Sequence, residues 1–367
     1  MKSLLKSSSL VVLAAALSGF AASASAQEVL NVYNWSDYIG EETVANFEKE
    51  YGVKVNYDVY DSNQVVEAKL LAGNSGYDLV VPTLADAQRL IQAGIFQKVD
   101  KSKLENFGNL DKVILNQTAK YDPNNDYAVP YLWGTNGIGY NVAKVQEVLG
   151  DDAPLDSWAL VFDPQYAEKL SKCGLTMLDD PGEIVPLVNF YLDKPDSKQS
   201  TADIEAAMAE LEKIRPYITY FHSSQYINDL ANGNVCVSIG WSGDVGQAAL
   251  RAEEAGNGNE IKYVIPKEGT LIWFDVMMIP ADAPNPDLAH KFIDYILRAD
   301  VGADLANYVE YASPNEASME FIDEDLKADP GVYPSQEVKE RLRSKIEPGS
   351  KELRTRTRLW TKLKTGQ

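Results

Sequence analysis

Histidine, cysteine and positive charge are what this 367-residue chain has least of. It holds two histidines, His222 and His290, and two cysteines, Cys173 and Cys236. A metal site built on imidazole or thiolate is therefore close to excluded. Lysine and arginine number 34 against 54 acids, for a formal charge of -20. Nucleic acid is a poor partner for such a surface, because phosphate binding needs a basic one. An acidic surface favours the approach of cations. No glycine loop ending in lysine is present to cradle phosphates, which removes an ATPase. Beyond the first residues no apolar run is long enough to cross a bilayer.

The amino terminus has its own composition. Lys2 and Lys6 precede an apolar run from Leu10 to Leu17, and Ala24-Ser25-Ala26 offers a small-residue cleavage site. This is the pattern of a secretory signal over residues 1–26, cut after Ala26, with an exported product starting at Gln27. In an oxidising compartment Cys173 and Cys236 pair as a disulfide, two buried thiols being the alternative. About 340 remaining residues are ample for two cores.

Periodicity then organises the chain. Val29–Trp35, Val53–Tyr60 and Tyr77–Thr83 read as strands, separated by helices over Glu41–Glu50 and from Ser62 to Leu71. Alternation of this kind predicts an α/β fold with a mainly parallel sheet flanked by helices. The run Tyr127–Tyr140, loosened by three glycines, reads as a crossing from one lobe to another. A second α/β section follows, with strands at Leu175–Asp179, Val235–Trp241, Ile261–Pro266 and Trp273–Ile279, and helices at Ala202–Lys213 and Leu288–Leu297.

Several catalytic signatures begin and then fail. Gly240-Trp241-Ser242-Gly243-Asp244 approaches a nucleophile elbow but has Asp where the last glycine belongs. A secreted serine hydrolase using Ser242 is thus the alternative enzyme reading, weakened by the lack of an evident base. Asp122-x-Asn124-x-Asp126 imitates a calcium loop, with Tyr127 where glycine is required. It reads as a polar turn. No metal and no cofactor are expected.

What is present is a recurring pairing of rings and acids: Trp35-Ser36-Asp37-Tyr38, Trp241-Ser242-Gly243-Asp244 and Trp273-Phe274-Asp275. Each lies where a strand ends, the place where open α/β folds bind ligands. One carboxylate alone is more often a helix cap than a ligand contact, and Glu183 and Asp244 both sit where a helix opens. Three pairings together point to a small organic cation held between rings and acids.

These motifs, with Tyr77-Asp78-Leu79-Val80-Val81-Pro82-Thr83 and the two cysteines, resemble the periplasmic putrescine/spermidine-binding proteins of bacterial ABC importers. The likeness runs over nearly the whole exported chain. It implies a two-lobed, hinged α/β fold of the periplasmic-binding-protein type, one lobe from 27–134 and 260–307, the other from 135–259 and 308–367. It also implies a ligand set of Trp35, Ser36, Asp37, Tyr38, Thr83, Glu183, Trp241, Asp244, Trp273, Asp275 and Tyr311. The function implied is capture of a polyamine, with a slight lean to putrescine, by a monomer that delivers it to an inner-membrane ABC permease. Delivery of a polyamine cue to a membrane sensor is the alternative within the same likeness.

Overall fold

The computed structural model describes residues 27–346 and 348–366; the expected signal segment lies outside them. Ten strands order the described residues: β1 (Val29–Trp35), β2 (Lys54–Tyr60), β3 (Leu79–Val80), β4 (Val129–Asn141), β5 (Leu175–Met177), β6 (Tyr220–Phe221), β7 (Val237–Trp241), β8 (Ile261–Val264), β9 (Thr270–Met277) and β10 (Leu342–Ser344). β1 lies between β2 and β3, parallel to both. The second sheet runs β10-β9-β4-β7-β5-β6, with β8 also on β4. Backbone bonds between Val80 and Met278, and from Val276 to Pro82, join the end of β9 to β3.

β4 is the long element through the middle, buried along all 13 of its residues. Its first half pairs with β9 and its second half with β7 and β8. All three pairings are antiparallel. The parallel order expected from sequence holds on either side, where β-helix-β crossovers build the sheet. It does not hold where the chain crosses between lobes, because strands passing back and forth through a hinge run in opposite directions.

Two cores flank this crossing. One gathers Leu30, Phe47, Leu79, Val129, Val276 and Phe292; the other gathers Ile138, Trp158, Leu187, Leu211, Val237 and Trp360. Membership differs from the expected division in two places. Ile261 belongs to the second core because β8 pairs with the far half of β4, and Leu271 joins it from the start of β9. Val309, Tyr311, Ala312, Ile322, Leu326 and Val332 belong to the first. The chain thus stays on the first lobe after the helix Ala299–Val309; β10 then pairs with the start of β9, Arg343 bonds Asp196, and the last helix, Ser350–Thr365, packs on the second core.

Cys173 and Cys236 form a disulfide across 63 residues, beside β5 and β7. Closing a loop of that length stabilises by about 4 kcal/mol in the chain-entropy model.

Candidate functional site

A narrow cavity lies where the two cores meet across the hinge. Its lining is drawn from strand ends and helix starts of both lobes. Trp35 ends β1, Ser36 and Tyr38 follow it, Thr83 follows β3, and Trp273 and Asp275 stand on β9. Glu183, Trp241 and Asp244 come from the other side, and Tyr311 from just beyond the helix Ala299–Val309. Alternation along β9 turns Trp273 and Asp275 to this cavity. Ile272 and Phe274 face a larger groove behind the hinge that has no buried carboxylate in its lining.

Asp275 is 4% exposed and accepts a hydrogen bond from the Thr83 hydroxyl at 2.7 Å. Burial pushes its carboxyl up to about 7, against the opposing pull of that bond. The Tyr38 phenol stands beside it without hydrogen-bond geometry, its own pKa driven well up by burial and then by Asp275. Asp244 is held by two phenols: Tyr311 donates to Oδ1 at 2.7 Å and Tyr226 to Oδ2 at 2.8 Å. Desolvation raises this carboxyl to about 6, against the opposing pull of both phenols. Asp244 lies in the first turn of the helix Ser242–Glu254, yet its side chain caps nothing. Glu183 accepts from Asn136 and from the Trp241 indole, both at 2.7 Å on Oε2. Burial, then Asp180, raises its pKa.

Rings pack the walls. Trp35 and Trp241 meet edge to face at 5.9 Å, and Trp273 and Tyr311 at 5.4 Å. Two glycines permit this closeness. A Cβ on Gly243 would fall 2.3 Å from the Tyr311 ring, and one on Gly134 2.7 Å from Trp273. Buried Trp35 Nε1, Trp273 Nε1 and the Tyr38 hydroxyl have no hydrogen-bond partner among the described residues. Among the described residues no lysine or arginine lines the cavity. Three buried acids, aromatic walls and no cation make a receptor for positive charge on an apolar stem.

Ten of the eleven expected residues line this space; Asp37 does not. Its backbone is left-handed, at φ 54, and its carboxylate pairs with Arg251 Nη2 at 2.8 Å. The Gln247 amide donates to its carbonyl as well. Asp37 therefore ties the β1 loop to the helix Ser242–Glu254 at the rim. Two lining residues were not anticipated, Asp61 and Ser223. Asp61 follows β2 and was open to the strand-end argument that found Trp35. Ser223 follows the two-residue β6, too short to show as a period.

Ser242 has no base. Its hydroxyl accepts from the Thr135 amide at 3.4 Å. His222 Nδ1 accepts from the amides of Ser224 and Gln225, and His290 Nε2 from that of Asp100. The elbow-like motif is a strand–helix turn that positions Trp241 and Asp244.

Residues 42–334 match the model of the bacterial extracellular solute-binding proteins. This chain belongs to that family. The family binds solutes and is not enzymatic, which disposes of the hydrolase reading. Relatives of known function extend the likeness along the chain. The putrescine-binding periplasmic protein PotF of Escherichia coli is 51% identical, covering 94% of this chain and 93% of its own. The putrescine-binding periplasmic protein SpuD of Pseudomonas aeruginosa is 49% identical over 97% of each. Among solved structures, the spermidine/putrescine transporter substrate-binding protein PotD of Streptococcus pneumoniae aligns with a TM-score of 0.74. It is 28% identical, covering 92% of this chain and 99% of that one.

Proposed function

We propose that this chain is a periplasmic receptor that captures a polyamine, putrescine foremost, between its lobes and hands it to an ABC permease. The observation that carries the reading is the pair of buried carboxylates, Asp244 and Asp275, in an aromatic cavity without a cation. A diamine offers an ammonium to each acid and lays its methylenes between the rings. Burying each methylene contributes about 0.8 kcal/mol. Desolvation of the ammonium groups offsets much of the charge attraction, so the acids chiefly select which spacing fits. Trp35, Trp241, Trp273 and Tyr311 are the walls, Asp244 and Asp275 hold the two ends, and Ser36, Tyr38, Thr83 and Glu183 complete the polar contacts. Asp37 acts from the rim, through Arg251.

Ligand bridging both lobes stabilises the closed arrangement about the β4 and β9 crossing, and the permease distinguishes closed from open. Export by the segment 1–26, cleavage after Ala26 and action as a monomer belong to the same proposal. Calorimetric titration of the ligand-free chain with putrescine, cadaverine, spermidine and agmatine tests it. Putrescine should bind with a clear heat and one site per chain; no heat with any of the four would refute the reading.

A further inference from the structure

The carboxyl-terminal helix Ser350–Thr365 reverses the charge of the chain. It carries Lys351, Arg354, Arg356, Arg358, Lys362 and Lys364 against Glu352 alone. Taking this +5 from the total of -20 leaves -25 elsewhere. Arg356, Trp360 and Leu363 are buried against the second lobe. Lys351, Arg354, Arg358 and Lys362 are exposed. At about 100° per residue these four fall within roughly 80° of arc, on the side away from the core, along a line of about 16 Å. None of the four has an acidic partner among the described residues. Thr355, Thr357 and Thr361 lie between them, their hydroxyls returned to carbonyls one turn back. The stripe therefore carries charge without an apolar edge that would insert into lipid.

Its place in the fold is beside the cleft. Trp360 Nε1 and Lys364 Nζ both donate to Asp179 Oδ1, each at 2.8 Å. The next residue, Asp180, accepts from Gln64 of the first lobe at 3.4 Å. We infer that this stripe is a docking surface for the anionic phospholipid headgroups of a membrane, holding the receptor by one edge of its cleft. The inference rests on the delivery role proposed above. Like charges over most of the surface repel such a membrane, but screening confines that repulsion to about a Debye length, 8 Å at physiological salt. A row of adjacent cations facing the headgroups acts inside that distance. Contact of this kind is reversible and salt-sensitive, as a shuttling receptor requires.

Co-sedimentation of the exported chain with vesicles tests the inference. Vesicles of phosphatidylglycerol and phosphatidylethanolamine should retain the chain at least ten-fold better than phosphatidylcholine vesicles at low salt, and lose it at high salt. The combined variant Lys351→Glu, Arg354→Glu, Arg358→Glu, Lys362→Glu should abolish retention. A control with the same change of net charge, at the exposed Lys49, Lys112, Lys169 and Lys291, should keep it. Putrescine titrations should be unchanged in both variants, which shows that they fold and separates this surface from the cavity. Equal retention on the two vesicle types, or equal loss in the control, overturns the inference. Failure of the polyamine reading would instead appear in the titrations.

Discussion

In the proposed receptor Asp275 and Asp244 select the ligand, and burial makes each a weaker acid than a free carboxyl. A carboxyl raised in the folded state contributes stability that is full below its unfolded pKa and is lost as pH rises through the folded one. For Asp275 that window runs from about 4 to about 7. Asp275→Asn should therefore gain stability relative to the parent as pH is raised from 5 to 8, by at most roughly 3 kcal/mol. Thermal melts of both ligand-free proteins across that range check it; a constant difference would contradict it. Ligand reverses the sign, because an ammonium favours the carboxylate. Putrescine affinity should fall as pH is lowered from about 7 to 5, with protons released on binding, seen as a buffer-dependent heat. Asp37 sits between two cavity residues in sequence, but one left-handed turn sends its side chain to Arg251 instead. The phenol of Tyr226, which holds Asp244, comes from a separate helix and left no local trace.

Strands and helices were far more legible, and for a physical reason. Gly52 ends the first helix in the left-handed conformation that its position after Tyr51 implies. Val237–Trp241 and Ser242–Glu254 follow from an apolar run and a turn. Two tertiary facts had no such signature: β4 pairs differently along its two halves, and residues 309–332 stay on the first lobe. Both are settled by packing against distant segments. The same packing explains Gly243, whose hydrogen makes room for the Tyr311 ring. Gly243→Ala should displace that ring, weaken putrescine binding about ten-fold and cost roughly 1–3 kcal/mol of stability. An unchanged titration would show that Tyr311 is free to relocate. Replacing Cys173 and Cys236 together by Ala should cost about 4 kcal/mol in denaturant unfolding, with ligand affinity kept because the bond lies away from the cavity lining.

For the molecule as a whole, the account joins two lobes, one crossing and one shared cavity into a receptor that closes on a dication. Residues from both cores must act on the same ligand for closure to follow binding. Asp275 belongs to a strand of the first lobe and Asp244 to a helix of the second. The most direct test is calorimetric titration of putrescine into the ligand-free chain and into Asp244→Asn and Asp275→Asn. The account predicts one site per chain in the parent and affinity reduced ten-fold or more in each variant, a loss of at least about 1.4 kcal/mol. Binding of unaltered strength in both variants would contradict it.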